Sequence, residues 1–325
     1  MITCDICGTL NFKEDNYCSY CGYKLKLKHI CPNCGENNSD LVNFCENCGE
    51  QINPVVINDF DILFTKFNAN LLANAQISDE EYNELLSSIF KRADYIKIWG
   101  ETIKDKILNF ASIFTECNPK SRGYERGYIF VGTGISFDDR LDDSVQIATI
   151  IHELAHYLLF TILETMLCNI FKIKTSSTIQ SFIWYFLNLP EFKIMSEYCA
   201  HTVEGRFIPY GYQNYGSFNI LIENSNENDE SLEDMVCLGN SFANELIIYL
   251  EKYISEELRD EIKLQYRKDL SKPSYESIFA ETDKCFSLNF KNSIIINVLY
   301  NIFCESSDND IRVELESIKE MIELN

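Results

Sequence analysis

From residue 60 onward, apolar residues recur every three or four positions along most of the chain, the spacing of helices that bury one face. Phe60, Leu63, Phe64, Phe67, Leu71 and Leu72 begin the series. Ser78 and Glu81 have capping-box spacing and open a helix through Tyr82, Leu85, Leu86, Ile89, Phe90 and Ala93. A third helix is predicted over Thr102 to Thr115. The rhythm breaks at Asn118-Pro119. There Gly123, Gly127, Gly132 and Gly134 punctuate a run containing Tyr128 to Val131, a strand or hairpin with a glycine turn. Asp142, Asp143 and Ser144 with Gln146 mark the capped start of the next helix. Val145 to Phe171 is the longest apolar region, but His152, Glu153, His156 and Glu164 interrupt it, so it reads as a buried helix rather than a membrane span. Pro190 and Gly205 bracket a helix over Phe192 to Gly205. Farther on, Glu223 to Asp234 reads as an exposed acidic loop, and Phe242 to Leu270 as one long amphipathic helix ended by Pro273. Ser287 to Cys304 is ambiguous between helix and strand, and Ile311 to Leu324 is a final helix. The expected class is α+β, mostly helical, with a small strand region.

The first 52 residues follow a different logic. Eight of the fourteen cysteines fall there, as four C-x-x-C pairs: Cys4/Cys7, Cys18/Cys21, Cys31/Cys34 and Cys45/Cys48. The first two pairs recur 27 residues later, and a glycine follows each pair: Gly8, Gly22, Gly35 and Gly49. Two intervening residues let one tight turn aim two thiolates at a single ion, with Zn–S about 2.3 Å. A glycine after the turn takes positive φ without penalty. Two such turns close a four-sulfur site with no vacant position, so each site is structural: Cys4, Cys7, Cys18 and Cys21 hold the first zinc, Cys31, Cys34, Cys45 and Cys48 the second. Segments this short gain much of their folding free energy from the metal. A disulfide framework or a redox pair would need a secretory or βαβ context, and neither is visible. The repeat resembles the double zinc ribbon, a module that commonly binds proteins or nucleic acids. Cys117, Cys168, Cys199, Cys237, Cys285 and Cys304 have no ligand spacing and read as small buried hydrophobes.

Charge narrows the choice of partner. The chain carries 28 basic and 50 acidic residues, a formal net charge of −22. Such a chain repels phosphate backbones and anionic lipid. Residues 1–50 hold four lysines against seven acids, which favours a protein partner for the ribbons over nucleic acid. The Lys24, Lys26, Lys28 strip reads as a solvated face. With no apolar leader at the start, the expected location is the cytoplasm and no membrane contact is expected.

Chemistry enters at residues 152–156, His-Glu-Leu-Ala-His. Histidines at i and i+4 stand above one another on one helix face and can reach one zinc at about 2.0–2.1 Å. Glu153 lies beside the open coordination position, where it can act as general base on a zinc-bound water. Only four histidines exist in the chain, and strongly apolar flanks make three ionisable groups costly to bury without a shared purpose. The metzincin continuation is missing, because Leu159 and Ile162 stand where it needs glycine and histidine. The third ligand is sought one helix away, at Glu197, with Ala200 three residues on allowing close helix approach.

These residues resemble the gluzincins, the thermolysin-like zinc metallopeptidases, over about residues 120–205. In that family H-E-x-x-H is followed by a glutamate helix written E-x-x-A-D. Here residues 197–201 read Glu-Tyr-Cys-Ala-His, so His201 replaces the aspartate that orients a metal-binding histidine. His201 or Glu204 can take over that role, and each is an alternative ligand to Glu197. The resemblance implies a zincin-like domain with one catalytic zinc on His152, His156 and Glu197. It also implies peptide-bond hydrolysis with Glu153 as base, and a substrate strand added along Tyr128 to Val131. Arg206, Tyr210, Tyr212 and Tyr215 are candidate stabilisers of the developing oxyanion, although for each tyrosine plain packing is the stronger reading.

The expected organisation is therefore a double zinc ribbon at residues 1–52, a linker at 53–59 and a zincin-like peptidase domain at 60–325. It would carry two structural zincs and one catalytic zinc, act on a peptide or protein, and bind a protein partner through its ribbons. The competing expectation is a zincin-like sensor or adaptor that catalyses nothing and binds its partner through the ribbons.

Overall fold

The computed structural model describes residues 2–3, 10–11, 29–31, 34, 37–38, 45, 47–48, 55–56, 60–63, 77–119, 126–225, 229–269, 282–305 and 309–324. Two compact units divide the chain: Met1–Ile57 with Lys172–Lys174, and Asn58–Phe171 with Thr175–Asn325.

The first unit contains short paired strands. β1 (Ile2–Thr3) pairs antiparallel with β2 (Leu10–Asn11), and β3 (His29–Ile30) with β4 (Asn37–Asn38). The registers are Ile2 opposite Asn11 and His29 opposite Asn38, so the backbone repeats at the same 27-residue shift as the cysteines. β5 (Val55–Val56) lies inside the expected linker and pairs in parallel with β9 (Ile173–Lys174).

The second unit is mostly helical, with one three-stranded sheet among its described residues. Residues 60–63 begin it as α1; the apolar positions expected to extend that helix, Phe64 to Leu72, lie outside the described residues. α2 (Asp79–Phe90) opens on the expected capping box: Ser78 N–H donates to Glu81, and Glu81 N–H donates to Ser78 Oγ at 3.2 Å. α3 (Ile103–Ala111) uses Thr102 and Asp105 in the same way. The sheet runs β6 (Cys117–Pro119), β8 (Gly134–Phe137), β7 (Gly127–Phe130), with β6 parallel and β7 antiparallel to β8. The glycine turn joins β7 to β8, with φ of 81° at Gly132 and 71° at Gly134, values a side chain tolerates poorly. Among the described residues β7 is an edge strand.

α4 (Asp143–Phe171) is the hub. Ile147, Ile151, Leu154, Leu158, Leu159 and Ile162 are each no more than 1% exposed, and they point in several directions around the helix. Each burial of this kind is worth about 1.5–3 kcal/mol. By length and composition α4 could cross a membrane; here it is wrapped by α2, α3, both hairpin strands and the helices that follow. Those are α5 (Ser177–Asn188), α6 (Pro190–Phe207), α8 (Asp229–Tyr253) and α9 (Glu256–Asp269). α7 (Gly216–Glu223) packs on α6; α10 (Leu288–Glu305) and α11 (Asn309–Glu323) complete the unit.

Several sequence expectations are corrected here. Phe242 to Leu270 is not one helix: Tyr253 ends α8, and Ser255 caps α9 by accepting from Leu258 N–H at 3.3 Å. Pro273 lies outside the described residues. Of the acidic stretch Glu223 to Asp234 expected as a loop, Glu223 ends α7 and Asp229 to Asp234 form the first turns of α8, because acids stabilise a helix N-terminus; residues 226–228 lie outside the described residues. Gly205 does not end α6, which runs on to Phe207. Ser287 to Cys304 resolves as helix α10. α5 and α7 were not foreseen, since the aromatic and β-branched run of α5 carries no clear period.

α6 and α8 approach closely because Gly239 has no side chain. A Cβ at that position would stand 2.6 Å from the Met195 carbonyl oxygen, a backbone atom that cannot swing away. Gly239→Ala is therefore expected to destabilise the unit by about 1–3 kcal/mol, by forced backbone shift. A thermal melt should show its midpoint lowered by about 2–4 °C per kcal/mol. An unchanged midpoint would mean that α8 slides freely on α6.

Candidate functional site

α4 and α6 carry the site. On α4, His152 and His156 are one turn apart and face α6, with their Nε2 atoms 3.1 Å from each other. Glu197 of α6 reaches between them, Oε2 at 3.6 Å from His152 Nε2 and Oε1 at 3.6 Å from His156 Nε2. Two donors about 2.0–2.1 Å from a common ion at a tetrahedral angle stand about 3.3 Å apart. The two ring nitrogens and the two carboxylate oxygens, one facing each ring, lie near that spacing, and two imidazoles with one carboxylate are a donor set that fits a divalent cation. His201 gives a looser alternative. Its donor atom lies within 4.8 Å of those of His152 and Glu197. However, its Nε2 is engaged by Ser217 Oγ at 2.8 Å and stands 3.7 Å from Glu197. The set containing His156 is the tighter.

A second ring of contacts fixes these side chains. His156 Nδ1 meets Ser196 Oγ at 2.8 Å. Ser217 Oγ donates to Glu197 Oε2 at 3.3 Å. Glu204 Oε2 lies 3.2 Å from His152 Nδ1 and 3.4 Å from His201 Nδ1, so one carboxylate orients two imidazoles. Glu204, one turn beyond His201, thus makes the carboxylate contact to His152 for which the sequence offered it beside His201. Behind it, Arg126 Nε donates to Thr149 Oγ1 at 2.9 Å, and Arg126 Nη2 stands 3.7 Å from Glu204 Oε1. Those last two atoms are both buried without a hydrogen bond, and a small closure would satisfy both.

Electrostatics divides the roles. Burial alone would push His152 down, but Glu197 and Glu204 outweigh it and raise its pKa to about 10. Burial pushes His156 down to about 3, against the pull of Glu197, so it is neutral. Burial works against the ionised forms of Glu197 and Glu204, yet the neighbouring histidines hold both well below the ordinary carboxylate range. Burial raises Glu153 to about 7.

Glu153 is 8% exposed and packs against the sheet. A Cβ on Gly127 would stand 2.7 Å from Glu153 Oε1 and 2.3 Å from Thr149 Cγ2. The bare backbone of β7 therefore lies directly against Glu153. Both line a cleft of about 540 Å³, together with His152, His156, Glu197 and Arg126.

The structure thus gathers His152, Glu153, His156 and Glu197 in one cleft, with His201 and Glu204 beside them. It does not bring the expected oxyanion stabilisers there. Arg206 pairs with Glu251, Tyr210 is 88% exposed, Tyr212 packs on Tyr266, and Tyr215 lies beside the His201 ring without lining the cleft. Arg126, Lys193, Trp184 and Ser217 line it instead and were not foreseen. Lys193 and Ser196 could have been found as helical neighbours of Glu197 at i−4 and i−1; Arg126 has no local signal.

In the other unit, Cys31 Sγ lies 3.5 Å from Cys48 Sγ, and Cys34 Sγ 3.5 Å from Cys45 Sγ. All four sulfurs are within 4.8 Å of one another. Four thiolates around one zinc stand about 3.8 Å apart, whereas a disulfide is about 2.0 Å long, so the cluster has the metal spacing. Cys4, Cys7, Cys18 and Cys21 lie outside the described residues. Residues 4–49 match the model of the double zinc ribbon family. No curated protein and no solved structure matches the chain. The match and the sulfur geometry agree on structural zinc binding in this unit. Replacing Cys31 and Cys45 together by serine should lower the zinc content by one ion per chain in native mass spectrometry. Unchanged content would show that these sulfurs hold no metal.

Proposed function

We propose that the unit from Asn58 onward is a zinc-dependent, zincin-like peptidase, and that the ribbons recruit a protein partner. The observation that carries this reading is the triangle of His152 Nε2, His156 Nε2 and Glu197, with sides of 3.1 and 3.6 Å and a buried carboxylate beside it at Glu153. A zinc ion on those three residues would supply Lewis-acid polarisation of the scissile carbonyl. Glu153 takes the proton of the attacking water and returns it to the leaving amine; a pKa near the working pH suits both directions. Glu204 and Ser196 hold the two imidazoles in one tautomer and one rotamer. The outer edge of β7, flush against Glu153, can take an extended peptide as a further strand, so the substrate is a peptide or protein. The ribbons' excess of acids over lysines favours a basic protein surface as partner. Free thiols at Cys117, Cys168, Cys199, Cys237 and Cys285 support a reducing compartment such as the cytoplasm.

The central test pairs two variants. Glu153→Ala should cut peptide hydrolysis by at least about 10²-fold, the share a positioned base contributes, while zinc content stays at the wild-type level. His152→Ala/His156→Ala should lose both hydrolysis and one zinc ion per chain. Wild-type rates in Glu153→Ala would remove the mechanism. No hydrolysis of any peptide library by the wild type would turn the reading to a non-catalytic adaptor.

Protonation of His152 gives a second test. Its raised pKa keeps it charged at pH 7 in the metal-free protein, and a cation can bind only the neutral imidazole. Loading should therefore release about one proton at pH 7, and apparent affinity should climb about tenfold per pH unit below the pKa of about 10. Calorimetry in two buffers of different ionisation enthalpy reads the proton directly. Release of none would mean that His152 is already neutral.

A further inference from the structure

We infer that the cleft is built to hold the C-terminal end of a peptide, with a bulky apolar last side chain in an aromatic alcove and the terminal carboxylate on Lys193. This rests on the peptidase reading of the same cleft and names its substrate class.

The alcove follows from helix register. α4 and α6 run antiparallel past each other, since His152 Nδ1 meets Glu204 whereas His156 Nδ1 meets Ser196. One further turn in the same direction brings Phe160 on α4 and Lys193 on α6, each about 6 Å beyond the donor triangle at 1.5 Å rise per residue. Both line the cleft. Tyr157, Trp184, Leu187 and Ile129 complete this end of it, and Trp184 is held edge-on against Phe130 at 4.7 Å. The walls are thus apolar and aromatic, the chemistry that takes a large hydrophobic side chain.

The rim is cationic. Lys193 is exposed and forms no ion pair among the described residues, on a chain whose acids outnumber its bases 50 to 28. The three carboxylates of the cleft are committed elsewhere: Glu197 and Glu204 to the histidines, Glu153 to its place beneath β7. Arg126 is tied to Thr149 and Glu204. Lys193 is therefore the cleft's uncommitted charge among the described residues, one helical turn from Glu197. An ammonium there makes a stronger, charge-assisted hydrogen bond to a carboxylate than to an amide carbonyl.

The test is a binding measurement on full-length Glu153→Gln protein, which leaves the probes intact. Quenching of Trp184 fluorescence is titrated with N-acetyl-phenylalanine, N-acetyl-phenylalaninamide and N-acetyl-glycine, with Trp184→Phe as the blank. The acid should bind about tenfold more tightly than the amide, the worth of one charged hydrogen bond. Adding Lys193→Met should erase that difference, and N-acetyl-glycine should bind weakly in both backgrounds. Equal binding of acid and amide, a difference that survives Lys193→Met, or no quenching by either probe would overturn the inference. N-acetyl-phenylalanyl-glutamic acid α-amide, whose only carboxylate is on a side chain, separates the two sources of a carboxylate. If it binds as tightly as the acid, the site reads an internal acidic residue and the C-terminal assignment fails. Hydrolysis is scored separately on the wild type. Absence of cleavage there would remove the peptidase reading while the carboxylate preference of the binding assay stood or fell by itself.

Discussion

The antiparallel packing of α4 against α6 is the constraint from which the rest of the second unit follows. The donor triangle and the carboxylate that orients it sit on these two helices, so their separation sets every distance in the site. That separation is fixed from behind. Ala200 is fully buried, and Gly239 lets α8 press its backbone against the Met195 carbonyl on α6. On the other side, Gly127 lets β7 press against Glu153. Missing side chains at two positions therefore place the polar residues of the cleft as firmly as the residues themselves do.

Much of the local structure was legible because it depends on neighbours in sequence. The capping box at Ser78 and Glu81, the glycine turn at 132–134 and the i, i+4 histidines each declare themselves within five residues. So did the second cysteine set, whose sulfurs cluster as the spacing requires. What escaped depends on chain-distant partners. Arg126 acquires its meaning only from Glu204, far along the chain on another helix. Lys193 and Trp184 are unremarkable in sequence until α5 and α6 bring them over one cleft. The break between α8 and α9 was signalled by Ser255 followed by Glu256 and Glu257, a cap with acids in the first turn, and the apolar periodicity on both sides masked it. Glu204 was already a candidate beside His201, but that its carboxylate meets both His152 and His201 required the helix faces to be aligned.

The charge arrangement around the triangle explains why so polar a cluster survives in an apolar setting. Glu204 touches two imidazoles and approaches a guanidinium, so its burial is matched by three partners. Glu197 has three histidines and a hydroxyl around it. Only Glu153 lacks a cation of its own, and it alone among these carboxylates is pushed up in pKa by its surroundings. An acid held near neutrality can both accept and give a proton, whereas its neighbours are fixed as anions.

The 29-residue α4, apolar on most sides, also sets a condition on biogenesis. It leaves the ribosome before α5, α6, α8 and α9, the helices that wrap it. At about 5–20 residues per second, the following stretch of roughly 100 residues takes about 5–20 s to appear. Throughout that interval the side of this greasy rod that α5, α6, α8 and α9 later cover stands bare in the nascent chain, a natural target for holding chaperones and a hazard for self-association.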